Sequence, residues 1–200
     1  MDGREFKDGV FGHFARVGAA LGNAKRVEIV DVLAQGERSV EDLAREVSST
    51  LGNTSRNLQI LAAAGLVSRR VEGTSRVYRL SHPSVLTVYR ALVAVAEARI
   101  AEVSALASAF FADSDGAQPM SLAELQQAMA ADEHVTLIDV RPEPEFDSGH
   151  VPGAINVPLA ELAERMADLP TDAPIVAYCR GPYCVMAASA VHRLREAGFP

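Results

Sequence analysis

The spacing of apolar residues changes character once along this chain, and that change restricts the fold more than any other feature. Before residue 112, apolar side chains recur three and four positions apart in "FGHFARVGAAL", "AKRVEIVDVLAQG", "SVEDLAREV" and "SSTLGNTSRNLQILAAAGLV", the period of amphipathic helices. One segment departs from it. "LVSRRVEGTSRVYRL" (66–80) holds two strand-like runs around "EGTS", a hairpin signature. "HPSVLTVYRALVAVAEARIAEVSALASAFF" then reads as one long helix, apolar over more of its circumference than a solvated helix tolerates. After residue 121, strand-like runs "VTLIDV", "AINVP" and "PIVAYC" alternate with helical stretches "SLAELQQAMA", "PEPEF", "LAELAERMADL" and one from about Val185 to Ala197. Such alternation builds a parallel α/β sheet. The small, polar "ADSDGAQPMS" (112–121) separates the two patterns. The expectation is therefore two domains, a mainly α one with a hairpin over 1–112 and an α/β one over 119–200.

Charge divides at the same place. Residues 1–112 carry 14 Lys+Arg against 12 Asp+Glu, whereas residues 113–200 carry 5 against 14. Within the first part, Arg56, Arg69, Arg70, Arg76 and Arg79 face only Glu72 across residues 49–82. A basic island in an acidic chain points to a phosphate-rich partner for that island, with a solvated surface strip as the plain alternative. No run approaches 18 apolar residues, so no membrane partner is expected. The charged start "MDGREFKDGVFGHF" lacks an export core, and two cysteines in 200 residues are too few for a disulfide framework, which together suit a cytoplasmic protein.

Helix, turn, helix and basic hairpin form a recipe for reading double-stranded DNA, with the second helix in the major groove and the hairpin along the backbone. That helix offers Asn53, Thr54, Ser55, Arg56, Asn57 and Gln59, while Leu58 and Leu61 should face the core. The hairpin offers Arg69, Arg70 and Arg76 around Gly73. "ALGNAKRVEIVDVLAQGERSVEDLAREV" with "TSRNLQILAAAGLVSRRVEGTSRVYRL" resembles the ArsR family of winged helix-turn-helix repressors, over roughly residues 8–110. The resemblance implies an operator-binding homodimer that pairs through its first and last helices. That would explain the over-apolar helix 83–111, for which burial against the second domain is the rival. Many members of that family sense metals through cysteines or through His and Asp on the last helix. Here residues 1–112 hold no cysteine, and His13 and His82 cannot complete a zinc site, so no metal and no cofactor is expected.

The chain's two cysteines, Cys179 and Cys184, share one short loop in "VAYCRGPYCVMAASAVHRL". A disulfide, a metal site, a nucleophile and inert packing all compete to explain them. "LIDVRPEPEFDSGHVPGAINVPLAEL" followed by "PIVAYCRGPYCVMAASAVHRLREAGF" resembles the rhodanese domain over about residues 119–199. That resemblance implies a rhodanese-like parallel sheet, a sulfurtransferase persulfide on Cys179, and Asp139 and Arg141 as structural residues beside the active loop. The chemistry is physically sound. A cysteine at the C-terminal end of a parallel strand, before a helix, meets loop N–H groups and a helix N-terminus that favour thiolate. Arg180 would hold an anionic donor or the persulfide. His150 and Gly153 should fix a turn, and Asn156 should bond backbone.

This segment departs from the family in three places. Pro182 removes one N–H from the loop. Val185 stands where the related phosphatases carry an arginine. Past "EAGFP" the family continues into another strand and a helix, so either the sequence is clipped there or the domain lacks these. Cys184 reads as a buried small residue, as a resolving thiol for an adduct on Cys179, or as half of a two-thiolate metalloid site. The leading expectation is a repressor whose second domain senses reactive sulfur or oxidant, with a small sulfur donor as partner. An active thiosulfate or persulfide sulfurtransferase, dimerised by the winged domain, and an arsenic-responsive repressor using both cysteines are the alternatives.

Overall fold

The computed structural model describes residues 1–112, 120, 122–130, 135–171 and 173–199. Its Cα atoms group into two compact units, Met1–Arg99 and Ile100–Pro200.

The first unit is a mainly α winged helix-turn-helix. Helix α1 (Gly3–Leu21) starts earlier than "FGHFARVGAAL" suggests, because Asp2 and Glu5 form a reciprocal capping box over its first turn. Asn23 caps α2 (Ala24–Ala34). A two-residue strand β1 (Arg38–Ser39) leads into α3 (Val40–Glu46). Ser39 is the N-cap of α3: its hydroxyl accepts from the Asp42 N–H at 3.1 Å and donates to the Asp42 carboxylate at 2.5 Å. Thr50 caps α4 (Leu51–Ala63).

Strands β2 (Val67–Glu72) and β3 (Ser75–Leu80) pair antiparallel from Val67↔Leu80 to Glu72↔Ser75. Gly73 sits at the turn with φ 59°, a conformation that disfavours any side chain with a Cβ. β1 adds a third strand through Arg38↔Tyr78 and Ser39↔Val77, a pairing too short for periodicity to reveal. Ile29, Val30, Leu43, Val47, Leu58, Leu61 and Tyr78 form the core. Burying each large aliphatic side chain stabilises by about 2 kcal/mol, so truncating fully buried Leu58 to Ala should cost roughly 3 kcal/mol.

The expected helix over 83–111 is two helices. Helix α5 (Pro83–Arg99) stops before Ile100, and α6 (Ala101–Ala112) begins after it. No glycine or proline marks the break. Ile100 is β-branched and exposed, so neither propensity nor packing holds it helical, and its carbonyl accepts from the Val103 N–H at 3.1 Å.

The second unit is α/β. After α7 (Leu122–Ala130) come β4 (Thr136–Asp139), α8 (Glu143–Ser148), β5 (Ile155–Asn156), α9 (Leu162–Arg165), β6 (Ile175–Tyr178) and α10 (Met186–Glu196). The three strands pair in parallel in the order β5-β4-β6. The stretch "LAELAERMADL" gives only α9 and a 3-10 turn over Met166–Asp168. Ile138, Val140, Val157, Leu162, Ala190 and Leu194 form a core, and Cys179 packs against it. Central β4 anchors that core: Leu137 and Ile138 are buried between the flanking strands, and Asp139 is buried at its end.

Candidate functional site

Two sites emerge, one in each unit. In the first, α4 turns Asn53, Arg56 and Gln59 outward, with Ser55 and Asn57 half-buried at the edges. Thr54 must be corrected. It lies one helical turn before Leu58 and two before Leu61, so it shares their buried face and is 0% exposed. Its hydroxyl finds no partner among the described residues. Thr54 is a core position and presents nothing to a duplex.

On the wing, Arg69, Arg70 and Arg76 are exposed. Arg70 is already engaged, lying 3.0 Å from Glu37 and 3.0 Å from Glu72. Arg79 approaches the same Glu37 at 3.8 Å. Sequence reading overlooked Glu37 because it is remote from the hairpin along the chain. Val88, Leu92 and Val95 leave an apolar stripe exposed on α5, and Phe6, Phe11 and Phe14 do so on α1. Elsewhere Tyr89 donates to Asp31 at 2.8 Å, tying α5 to α2. Burial first, then that carboxylate, raises the tyrosine's pKa.

In the second unit, β4 and β6 end side by side. The chain leaving β4 carries Asp139 and Arg141, and the chain leaving β6 carries the cysteine loop. Arg141 forks onto Asp139, with Nε at 2.9 Å from Oδ1 and Nη2 at 2.6 Å from Oδ2, and Nη2 also donates to the Gly149 carbonyl at 2.8 Å. Both residues are buried. The guanidinium lies 5.7 Å from the Tyr178 ring centroid. Asn156 donates to the carbonyls of Asp139 and Arg141 at 3.1 and 2.9 Å. His150 stacks on Phe146 at 3.6 Å and bonds its carbonyl at 2.9 Å. These contacts hold the two strand ends in register beneath the loop.

The loop turns back on itself where the Cys184 N–H donates to the Gly181 carbonyl at 3.0 Å. Cys179 and Cys184 are both free and partly buried. The Cys179 thiol donates to the Cys184 carbonyl at 3.4 Å, which sets the two cysteines against each other. That contact alters the acid–base reading. Cys184 is lowered to about 6: the Cys179 hydrogen bond favours its thiolate, burial opposes it, and the N–H groups of Met186 and Arg180 and the Arg180 charge add support. Cys179 is raised, first by the bond to Cys184 and then by burial, against the N–H groups of Ala187 and Gly181. The sequence pointed to Cys179 as the thiolate. In the structure the two thiols shift in opposite directions, Cys184 downward and Cys179 upward.

Arg180 is not poised over the loop. Its guanidinium pairs with Glu145 of α8, with Nη2 at 2.5 Å from Oε1 and Nε at 3.0 Å from Oε2, and Glu145 is 0% exposed. Glu145 escaped sequence reading because a glutamate within "PEPEF" looks like one of several surface acids. Among the described residues, no three or more His, Cys, Asp or Glu cluster as metal ligands. No helix among them is long and apolar enough to cross a membrane.

Comparison with known proteins agrees with this division. A family model for the bacterial regulatory protein, arsR family, matches residues 23–69, and one for the rhodanese-like domain matches residues 121–200. The HTH-type transcriptional regulator Rv0324 of Mycobacterium tuberculosis is 47% identical over 184 residues, covering 92% of this chain and 80% of that protein. A sulfurtransferase of Allochromatium vinosum is 38% identical over 56 residues, 28% of this chain and 52% of its own length. The solution structure of Mb0332 from Mycobacterium bovis, a homodimeric winged helix-turn-helix DNA-binding domain, is 39% identical and covers 50% of this chain and 91% of that one, with a TM-score of 0.47. Fold and sites together define a transcriptional regulator with a winged helix-turn-helix and a rhodanese-like domain. The chain belongs to the ArsR family of HTH-type transcriptional regulators.

Proposed function

We propose that this regulator is a cytoplasmic, homodimeric repressor that senses reactive sulfur or oxidant through the Cys179–Cys184 loop. In this reading residues 1–112 bind the operator and dimerise, while residues 119–200 receive the signal. The observation that carries it is the dithiol itself. The chain's only two cysteines meet through the Cys179 thiol and the Cys184 carbonyl at 3.4 Å, in the segment that matches a rhodanese-like domain. Residues 1–112, in contrast, contain no cysteine.

The geometry supports a defined sequence of steps. Loss of its proton leaves Cys179 as thiolate at the end of β6, where it attacks the outer sulfur of a donor. Cys179 becomes a persulfide and the donor departs as its thiol. Cys184 can then attack the Cys179 sulfur, closing a disulfide and expelling hydrosulfide, which takes up the proton. Homodimer formation through α1 and α5 is supported by their exposed apolar stripes and by the homodimeric state named for the Mycobacterium bovis domain.

Operator binding before and after polysulfide treatment tests the reading, with intact mass measured on the same samples. The wild type should add sulfur and change operator affinity, and Cys179→Ser should abolish both changes. Release of Cys179→Ser protein from DNA by polysulfide would remove the loop as sensor. Catalytic turnover of thiosulfate with a thiol acceptor, without any effect on DNA binding, would favour an enzyme instead.

A further inference from the structure

We propose that Glu145 fixes the class of donor the loop accepts, namely sulfane-sulfur donors of low charge such as alkyl persulfides, and excludes the thiosulfate dianion. This rests on the reading of the loop as a sulfur acceptor.

Arg180 is the only Lys or Arg from Cys179 to Val185. Its charge is matched by Glu145, a buried carboxylate held in two-point contact at 2.5 and 3.0 Å, while the Arg180 side chain itself is only 14% exposed. A pair this close presents almost no net charge to a molecule approaching the loop. Pro182 offers no N–H, and Cys184 occupies the last loop position without adding a cation. Arg141 is likewise paired with Asp139, whereas Arg165 and Arg193 donate to the Asn156 and Leu159 carbonyls, lie outside the loop and keep their charge. The whole segment from residue 113 carries 14 acidic residues against 5 basic ones.

The two donor classes make different demands on such a loop. With an alkyl persulfide R–S–SH, the Cys179 thiolate bonds to the outer sulfur and the donor S–S bond breaks. R–S⁻ leaves and collects the proton, so one negative charge is present throughout. With thiosulfate, the same attack brings a thiolate against a dianion and expels sulfite, itself a dianion. That path needs a cation at the oxyanion, and Glu145 has taken the only one the loop supplies. Glu145 is thus a specificity-determining residue acting through Arg180.

The test measures sulfur addition to the full-length reduced protein by intact mass. The donors are sodium thiosulfate and a small alkyl hydropersulfide released from a caged precursor, each rate being divided by that for free cysteine. The alkyl persulfide should be favoured by roughly tenfold or more. Glu145→Gln, which frees Arg180, should narrow the preference several-fold. Because a buried substitution can impair folding, Val185→Arg serves as a second variant. Val185 is 49% exposed, so an arginine there adds an unmatched cation at the loop's end without touching the buried pair. It should raise the thiosulfate rate and leave the alkyl persulfide rate nearly unchanged. Equal normalised rates in the wild type overturn the inference, as does a preference that neither variant narrows. If neither donor adds sulfur, the acceptor reading itself falls, an outcome separable from loss of selectivity alone.

Discussion

Glu37, just before β1, lies 3.0 Å from the wing residue Arg70, which pairs with Val77 midway along the hairpin. Any phosphate that recruits Arg70 must displace this carboxylate. Exposed pairs of this kind are worth about 0.2–1 kcal/mol. Glu37→Gln is therefore expected to tighten binding to all duplexes by about two- to fivefold and to steepen its salt dependence. Arg70→Ala should weaken all duplexes alike and reduce the salt slope by about one. Fluorescence anisotropy across a salt series, on operator and random DNA, distinguishes the two.

Arg56 and Thr54 are neighbours on α4 with opposite expectations. Arg56→Ala should weaken the operator specifically, by about 1–3 kcal/mol where the side chain meets a base edge. Thr54→Val should leave DNA binding intact and stabilise the first unit by about 1 kcal/mol, because it removes a buried hydroxyl without a partner. Urea melts and operator titrations on both variants check the pair. Loss of operator affinity in Thr54→Val would contradict the core placement.

Leu92 and Val95 are 38% and 63% exposed on α5. If that stripe meets its twin, Leu92→Glu or Val95→Glu buries an unpaired charge costing several kcal/mol. Light scattering should then show monomers, and operator binding should fail in the same variants. A monodisperse wild-type monomer would end the dimer proposal.

The dithiol has its own pH signature. One equivalent of iodoacetamide should react with a midpoint near pH 6, the value to which Cys184 is lowered. The second thiol should stay protected well into the alkaline range, because Cys179 is raised. An unfolded thiol titrates at about 8.5. Between pH 6 and that point the unfolded chain binds more protons, so the pair's contribution to stability grows with pH. Above it the folded chain keeps the Cys179 proton that the unfolded chain loses, and the contribution declines. Comparing urea midpoints of wild type and Cys184→Ser from pH 5 to 10 should show a maximum in the difference near pH 8.5, on the order of the unfolded value.

Periodicity made most of the architecture legible. The helix pair, the hairpin around Gly73 and the three strands of the second unit all follow from apolar spacing. The misses share a physical cause. β1 is two residues long and depends on β3 for its identity, so no local signal marks it. The break at Ile100 lies inside an unbroken apolar pattern, and periodicity runs straight through it. Thr54 was misplaced because its polarity was weighed above its spacing, although positions 54, 58 and 61 already trace a single helical face. At the loop, residue types identified the thiols. Which carboxylate holds Arg180 depends on a contact across the fold that sequence spacing does not encode.

The pairing of β1 with β3 also governs how the first unit meets its target. A wing built from β2 and β3 alone would hinge at its base, and its tip would wander independently of α4. Here the third strand runs directly into Ser39, the N-cap of α3, so the hairpin and the helix pair share one length of backbone. The reading head is consequently a single stiff part. With the hairpin on the backbone and α4 in the groove, as proposed, that shared strand would fix their spacing, leave little ordering for the moment of contact and refuse a duplex of the wrong groove geometry as a whole.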